Sequence, residues 1–197
     1  LGTINSRARK QCSSQVLKQY DKVIKILQSS GAIIETYEPI IDFSEISQRM
    51  SDIIAVEAYY HHGHLYEKNS NPMDEDVRDR VLKVRNYSAC DYIKLLRERE
   101  QSQKLFFNSI KRFDALLSPT TTAEAPLVSE VDQSVSPGYF TRPANYYDMC
   151  ALSIPIGLSE NALPLSLQIS ARPNEELTAI KIGAEVEQKI GPMFLKT

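Results

Sequence analysis

Apolar residues recur along this chain with two periods, and the change of period divides it. Between Ser14 and Ser30, the residues Val16, Tyr20, Val23, Ile24 and Leu27 fall at helical spacing and share one face. Gly31 follows, and its tolerance of a left-handed backbone ends a helix at little cost. Ala32 to Tyr37 is short and β-branched, and Pro39 closes it, giving a helix–Gly–strand unit. A second helix is expected from Ser44 as N-cap. Its stripe is Ile46, Met50, Ile53, Ile54 and Tyr60, and Asn69-Ser70-Asn71-Pro72 breaks it. A third follows Pro72, with Asp74, Glu75 and Asp76 suited to the positive end of a helix dipole and Val77, Val81 and Leu82 apolar. Ser88 and Asp91 have the spacing of a capping box. They open a long helix to about Arg112, with Ile93, Leu96, Phe107 and Ile110 as the expected buried stripe. Lys94, Arg97, Glu98, Arg99 and Glu100 carry charges of both signs and read as a solvated face.

Beyond residue 113 the period shortens. Asp114-Ala115-Leu116-Leu117-Ser118 is an apolar run ending at Pro119, which predicts a buried strand. Thr120-Thr121-Thr122 and the Pro- and Ser-containing stretch to Gly138 predict a long loop, a kind of segment that often carries function. A short helix is expected from Pro143 to Met149. Leu152 to Gly157 and Leu163 to Ser170 read as two strands joined at Ser159-Glu160-Asn161. A closing helix from Glu175 to about Ile190 carries Leu177, Ile180, Ala184 and Val186. The fold class is therefore α/β: a helical middle at about 44–112 and a sheet section at about 113–190, within one domain of 197 residues.

Composition narrows the partners. The chain is 42% hydrophobic and 24% charged, with 7 Gly and 10 Pro, so it is neither collagen-like nor low-complexity. Lys and Arg number 23 against 25 Asp and Glu, a net charge of −2, which argues against nucleic-acid tracking by charge. No apolar run reaches the ~20 residues of a bilayer span, so no membrane partner is expected. Leu1-Gly2-Thr3-Ile4 runs into polar and basic residues, unlike a signal peptide, and a first residue other than Met points to a processed chain or a piece of a longer one. Cys12, Cys90 and Cys150 are far apart and odd in number, which favours reduced thiols in a cytoplasmic protein over a disulfide framework.

Candidate chemistry is sparse. All three histidines lie in His61-His62-Gly63-His64. His61 and His64 share a helical face and Glu57 stands four residues earlier, the beginning of a metal-hydrolase site. Gly63 near the expected helix end favours exposed or partly buried imidazoles instead. There is no G-x-S-x-G elbow, P-loop or G-x-G-x-x-G. Ser29-Ser30-Gly31 sits at a helix end, where Gly serves as a cap. No cofactor is implied.

Six segments, in order, resemble the amidase signature family. Phe113-Asp114-Ala115-Leu116-Leu117-Ser118-Pro119-Thr120 is similar to its D-x-L-L-x-P-T segment. Tyr139-Phe140-Thr141-Arg142-Pro143-Ala144-Asn145 resembles F-T-x-P-x-N, and Ala151 to Gly157 resembles A-L-S-V-P-x-G. Leu163 to Pro173 is similar to G-L-P-x-x-L-Q-x-x-x-R-P. Upstream, Met73 to Arg78 and Ser88 to Ile93 resemble the family's helical stretch. The resemblance runs from about Val16 to Ile190 and is to the C-terminal half. It implies an amide hydrolase whose serine nucleophile, second serine in a cis peptide and lysine base lie in a Gly/Ser-rich N-terminal region that nothing here matches. No catalytic residue is assigned. The resemblance places Thr120, Thr121, Tyr139, Phe140, Thr141 and Asn145 around the substrate, a small-molecule amide. A chain deprived of that other half is expected to be inactive and to self-associate as a homo-oligomer through its exposed sheet or helices. The other reading is a non-catalytic module supporting a partner chain.

Two departures stand out. Where the family has L-x-G-L-P, this chain has Tyr146-Tyr147-Asp148-Met149-Cys150, so the turn must be rebuilt and two tyrosines narrow the pocket or pack beneath it. The glutamine-amidating members carry an acidic residue before T-x-P. Ser136-Pro137-Gly138 has none, which favours a general amidase over a glutamine amidotransferase.

Overall fold

A computed structural model describes residues 1–132 and 137–191. Five strands form one mixed sheet: β1 (Gly2–Thr3), β2 (Glu35–Thr36), β3 (Leu116–Pro119), β4 (Cys150–Leu158) and β5 (Pro164–Ala171). Their spatial order is β2-β1-β3-β5-β4. β1 runs parallel to β2 and β3, and β5 is antiparallel to both β3 and β4. The helices are α1 (Ser6–Arg9), α2 (Ser14–Ser29), α3 (Phe43–Tyr66), α4 (Glu75–Leu82), α5 (Ala89–Ser109), α6 (Arg142–Tyr146) and α7 (Glu176–Ile190).

Most predicted elements form where the pattern put them, and their ends explain why. Gly31 has φ +93°, with Gly31 N–H donating to Gln28 O and Ala32 N–H to Leu27 O at 3.0 Å each. This is the reversed end that only a left-handed residue allows. The Ser88–Asp91 capping box is formed in both directions. Asp74 caps α4 through Val77 N–H.

Three expectations are corrected. Asp42, not Ser44, caps α3. Its carboxylate accepts from the Ser44 N–H at 2.9 Å, and Ser44 donates its hydroxyl to the same oxygen. A carboxylate beginning the helix gains from the dipole as well as the hydrogen bonds. Ile54 and Tyr60 on α3 and Ile93 on α5 are exposed, and Phe106 supplies the buried contact of α5. On α7, Leu177 and Ile180 are 63% and 54% exposed, while Ala179, Gly183 and Val186 face the sheet.

The sheet is amphipathic across its width. Leu117, Pro119, Leu165, Leu167, Ile169, Leu152 and Ile154 share one face by register, and α2 and α7 cover it to form the main core. Tyr20 on α2 locks that layer, donating its hydroxyl to Leu117 O at 2.9 Å and accepting from Ile4 N–H at 3.3 Å. A second core gathers Tyr37, Ile46, Ile53, Phe106, Ile110, Tyr146 and Tyr147 between α3, α5 and α6.

Candidate active-site face

The other face of the sheet is polar. Strand alternation that sends Leu165, Leu167 and Ile169 to the core sends Ser166, Gln168 and Ser170 the opposite way. Register adds Ser118 and Thr120 beside them on one side and Ala151, Ser153 and Pro155 on the other. Serine, threonine and glutamine are poor choices for a packed layer but good ones for recognising a polar ligand.

Part of this face is covered. Phe140, Pro143, Ala144 and Met149 lie over Ser118, Gln168 and Ser170 and leave a cavity of about 40 Å³. That space suits a few water molecules rather than an amide substrate. The rest is open: Ala151, Ser153 and Pro155 are exposed, and Thr120 is half-buried. Thr120 N–H continues the β3 ladder to Ser166 O at 3.0 Å, and the Thr120 and Ser153 hydroxyls meet at 2.8 Å across β5.

The six residues expected around the substrate do not share one pocket. Thr120 stands on the open face. Thr121 turns into its own loop, donating its hydroxyl to Ala123 O at 2.8 Å. Tyr139 is half-buried, edge-on to Phe43 and Phe140 at ring-centroid distances of 5.7 and 4.9 Å. Burial, and after it the Asp42 carboxylate, pushes its phenol up to about 12, so it is a neutral hydrogen-bonding group at physiological pH. Phe140 is 2% exposed and anchors the wall from inside. Thr141 is the N-cap residue of α6 without a side-chain capping bond, and Pro143 occupies the first turn. Asn145 is exposed on the far side of α6, lining a groove with Glu57, Arg99 and Asp148.

The rebuilt turn is visible. Asp148, standing where the family has glycine, takes φ +54°. Tyr146 and Tyr147 are buried in the second core at 1% and 2% exposure, and Tyr147 stacks on Phe106 at 3.8 Å. Of the segment Ser136-Pro137-Gly138, Ser136 lies outside the described residues.

His61, His62 and His64 are exposed on α3, and Glu57 accepts a hydrogen bond from the Tyr92 hydroxyl at 2.9 Å. Among the described residues no group of three His, Cys, Asp or Glu side chains is placed to hold a metal ion. Nor is any described helix long and apolar enough to cross a membrane.

Ser153, Ser166 and Gln168 belong to the polar face but are not among the residues expected around the substrate, although Ser153 and Gln168 stand at the serine of A-L-S-V-P-x-G and the glutamine of G-L-P-x-x-L-Q-x-x-x-R-P. The signal was present in the alternation of Leu165 to Ser170, whose polar members must point away from the core.

The fold has counterparts among known proteins. The chain is 30% identical over 126 residues to a fatty acid amide hydrolase of Medicago truncatula, covering 59% of this chain and 21% of that one. It is 30% identical over 129 residues to a 2-amino-5-chloromuconic acid deaminase of Comamonas testosteroni, covering 60% and 27%. An allophanate hydrolase structure from Kluyveromyces lactis superimposes with a TM-score of 0.83 at 20% identity, covering 98% of this chain and 32% of that one. A bacterial aryl acylamidase of the amidase signature family gives 0.75 at 17% identity, covering 95% and 43%. The chain thus spans under half the length of these relatives. The family model described as Amidase matches residues 1–179, and with this fold the chain belongs to the amidase signature family.

Proposed function

We propose that this chain is the C-terminal portion of a general amidase that hydrolyses a carbon–nitrogen amide bond. The observation that carries the reading is the two-faced sheet: one face sealed by α2 and α7, the other hydroxyl-rich and partly open. In this reading the nucleophilic serine, the cis-peptide serine and the lysine base belong to the preceding portion of the domain. The serine hydroxyl attacks the amide carbonyl, backbone amides hold the oxyanion, and the amine or ammonia leaves with a proton. Water then attacks the acyl-serine and releases the carboxylate. This chain contributes sheet and pocket wall, with Thr120, Thr121, Tyr139, Phe140, Thr141 and Asn145 as substrate-side residues. Of these, Thr121 and Asn145 are exposed, Thr120, Tyr139 and Thr141 are half-buried, and Phe140 acts from beneath.

The protein works in the cytoplasm with reduced thiols, consistent with three free cysteines. The isolated chain lacks activity and self-associates through surface that the rest of the domain would cover.

The test compares this chain with the intact protein on simple aryl and aliphatic amides. Hydrolysis is expected in the intact protein alone. Robust turnover by the isolated chain would overturn the division of labour. Activity of the intact protein only with glutamine as amide donor would overturn the general-amidase reading.

A further inference from the structure

Gln168 occupies the middle of the polar face yet is only 4% exposed. A buried carboxamide is costly unless its hydrogens are used. Here both are: Nε2 donates to Phe140 O at 2.8 Å and to Ser170 Oγ at 3.2 Å. The Phe140 carbonyl lies ahead of α6, outside the helix ladder, so the bond ties an irregular segment to the most central long strand. The tie is long-range, joining residues 28 apart. Immediately before Phe140 stands Tyr139, held between the Phe43 and Phe140 rings.

We propose that Gln168 is a positioning residue: its carboxamide fixes the Phe140 backbone and thereby sets where the neighbouring Tyr139 ring stands against Phe43. It does not touch substrate. Its chemistry is donation, which separates it from a residue that merely fills volume. Methionine would replace its bulk without a donor. Glutamate would replace its shape, donating only when protonated.

Two measurements test this. The first needs no activity. Hydrogen exchange across 137–149 in this chain is expected to quicken about tenfold in Gln168→Met, as for loss of one net hydrogen bond, while β3, β5 and α7 keep their protection. Gln168→Glu is expected to behave likewise at neutral pH and to regain protection on acidification, once the carboxyl can donate. Unchanged exchange in Gln168→Met, no recovery of Gln168→Glu in acid, or equal loss across the whole sheet overturns the proposal. The second rests on the amidase reading. In the intact enzyme, Gln168→Met is expected to raise KM for an aryl amide about tenfold and leave kcat within about twofold. A change confined to kcat overturns the proposal. An intact protein without amidase activity defeats the functional reading instead, and leaves the exchange result to decide this one.

Discussion

The Arg99 guanidinium on α5 holds the Asp148 carboxylate in the turn after α6. The same guanidinium donates to the carbonyls of Tyr146 and Asn145 at 2.8 and 3.0 Å, and Gln103 adds a bond to Asp148 at 2.7 Å. A left-handed residue that would ordinarily be glycine is here an aspartate with a helix side chain to hold it. The Asp148 end of the charge pair is exposed, so the pair contributes little by itself. The carbonyl contacts, which close the open end of α6, matter more.

Replacing Asp148 separates the two effects. Asp148→Gly loses the latch but relieves the left-handed backbone, so stability should change by less than about 1 kcal/mol. Asp148→Ala loses the latch and keeps the strain, and should lie about 1 kcal/mol below the glycine variant. Urea unfolding of the two variants measures the difference. Equal midpoints would show that the turn is not strained.

Alkaline pH should unfold the chain through its tyrosines. Burial raises the phenols of Tyr20, Tyr147, Tyr37 and Tyr139, so the folded state keeps protons that the unfolded state releases. Their contribution is complete below about pH 10, the ordinary phenol value, and declines as pH rises towards and through the folded values. The urea midpoint should therefore fall steeply above about pH 10. Tyrosinate absorbance should show a late-titrating group that ionises only on unfolding. Tyr20→Phe should lower stability at neutral pH by about 1–3 kcal/mol, because Leu117 O and Ile4 N–H lose a buried partner. It should also lessen the alkaline loss.

Gly183 lets α7 lie against β4 and β5. A Cβ built there meets Leu152 Cδ2 at 2.6 Å, with Ile154 and Ile169 behind at 3.6 and 3.7 Å. Gly183→Val gains helix propensity of about 0.5 kcal/mol but overpacks this contact by about 1–3 kcal/mol. A net fall in thermal midpoint is expected, and a rise would mean the helix can move away from the sheet freely.

The same glycine shows where the sequence was legible and where it was not. Ends and turns written in local chemistry were readable: Gly31, the Ser88–Asp91 box and the Asp74 cap each act within four residues of themselves. The long alternation at β5 was readable too. The face of α7 was not, because hydrophobicity favours Leu177 and Ile180, whereas close approach to a sheet selects Ala179 and Gly183. β1 was invisible for a related reason. Gly2 and Thr3 are a strand only because Glu35 and Leu116 flank them. The site followed the same rule. Motif resemblance marks segments containing Thr120, Tyr139, Ser153 and Gln168, but that Thr120, Ser153 and Gln168 share one face depends on which strands become neighbours.

That misread face of α7 gives the last prediction. Leu177, Ile180 and Ala184 are exposed at positions one helical stripe would join, while the opposite side of the helix is sealed against the sheet. An apolar stripe of this kind on an isolated chain is an association surface. Light scattering of the purified chain should show oligomers, and Ile180→Lys with Leu177→Lys should shift it towards monomer. Because both side chains already face water, the substitutions should alter the thermal midpoint by no more than surface changes usually do, about 0.5 kcal/mol each. Loss of association together with a large loss of stability would instead mean that α7 does not sit with this face outward. A wild-type chain that is already monomeric would mean that the stripe is too small to drive association unaided.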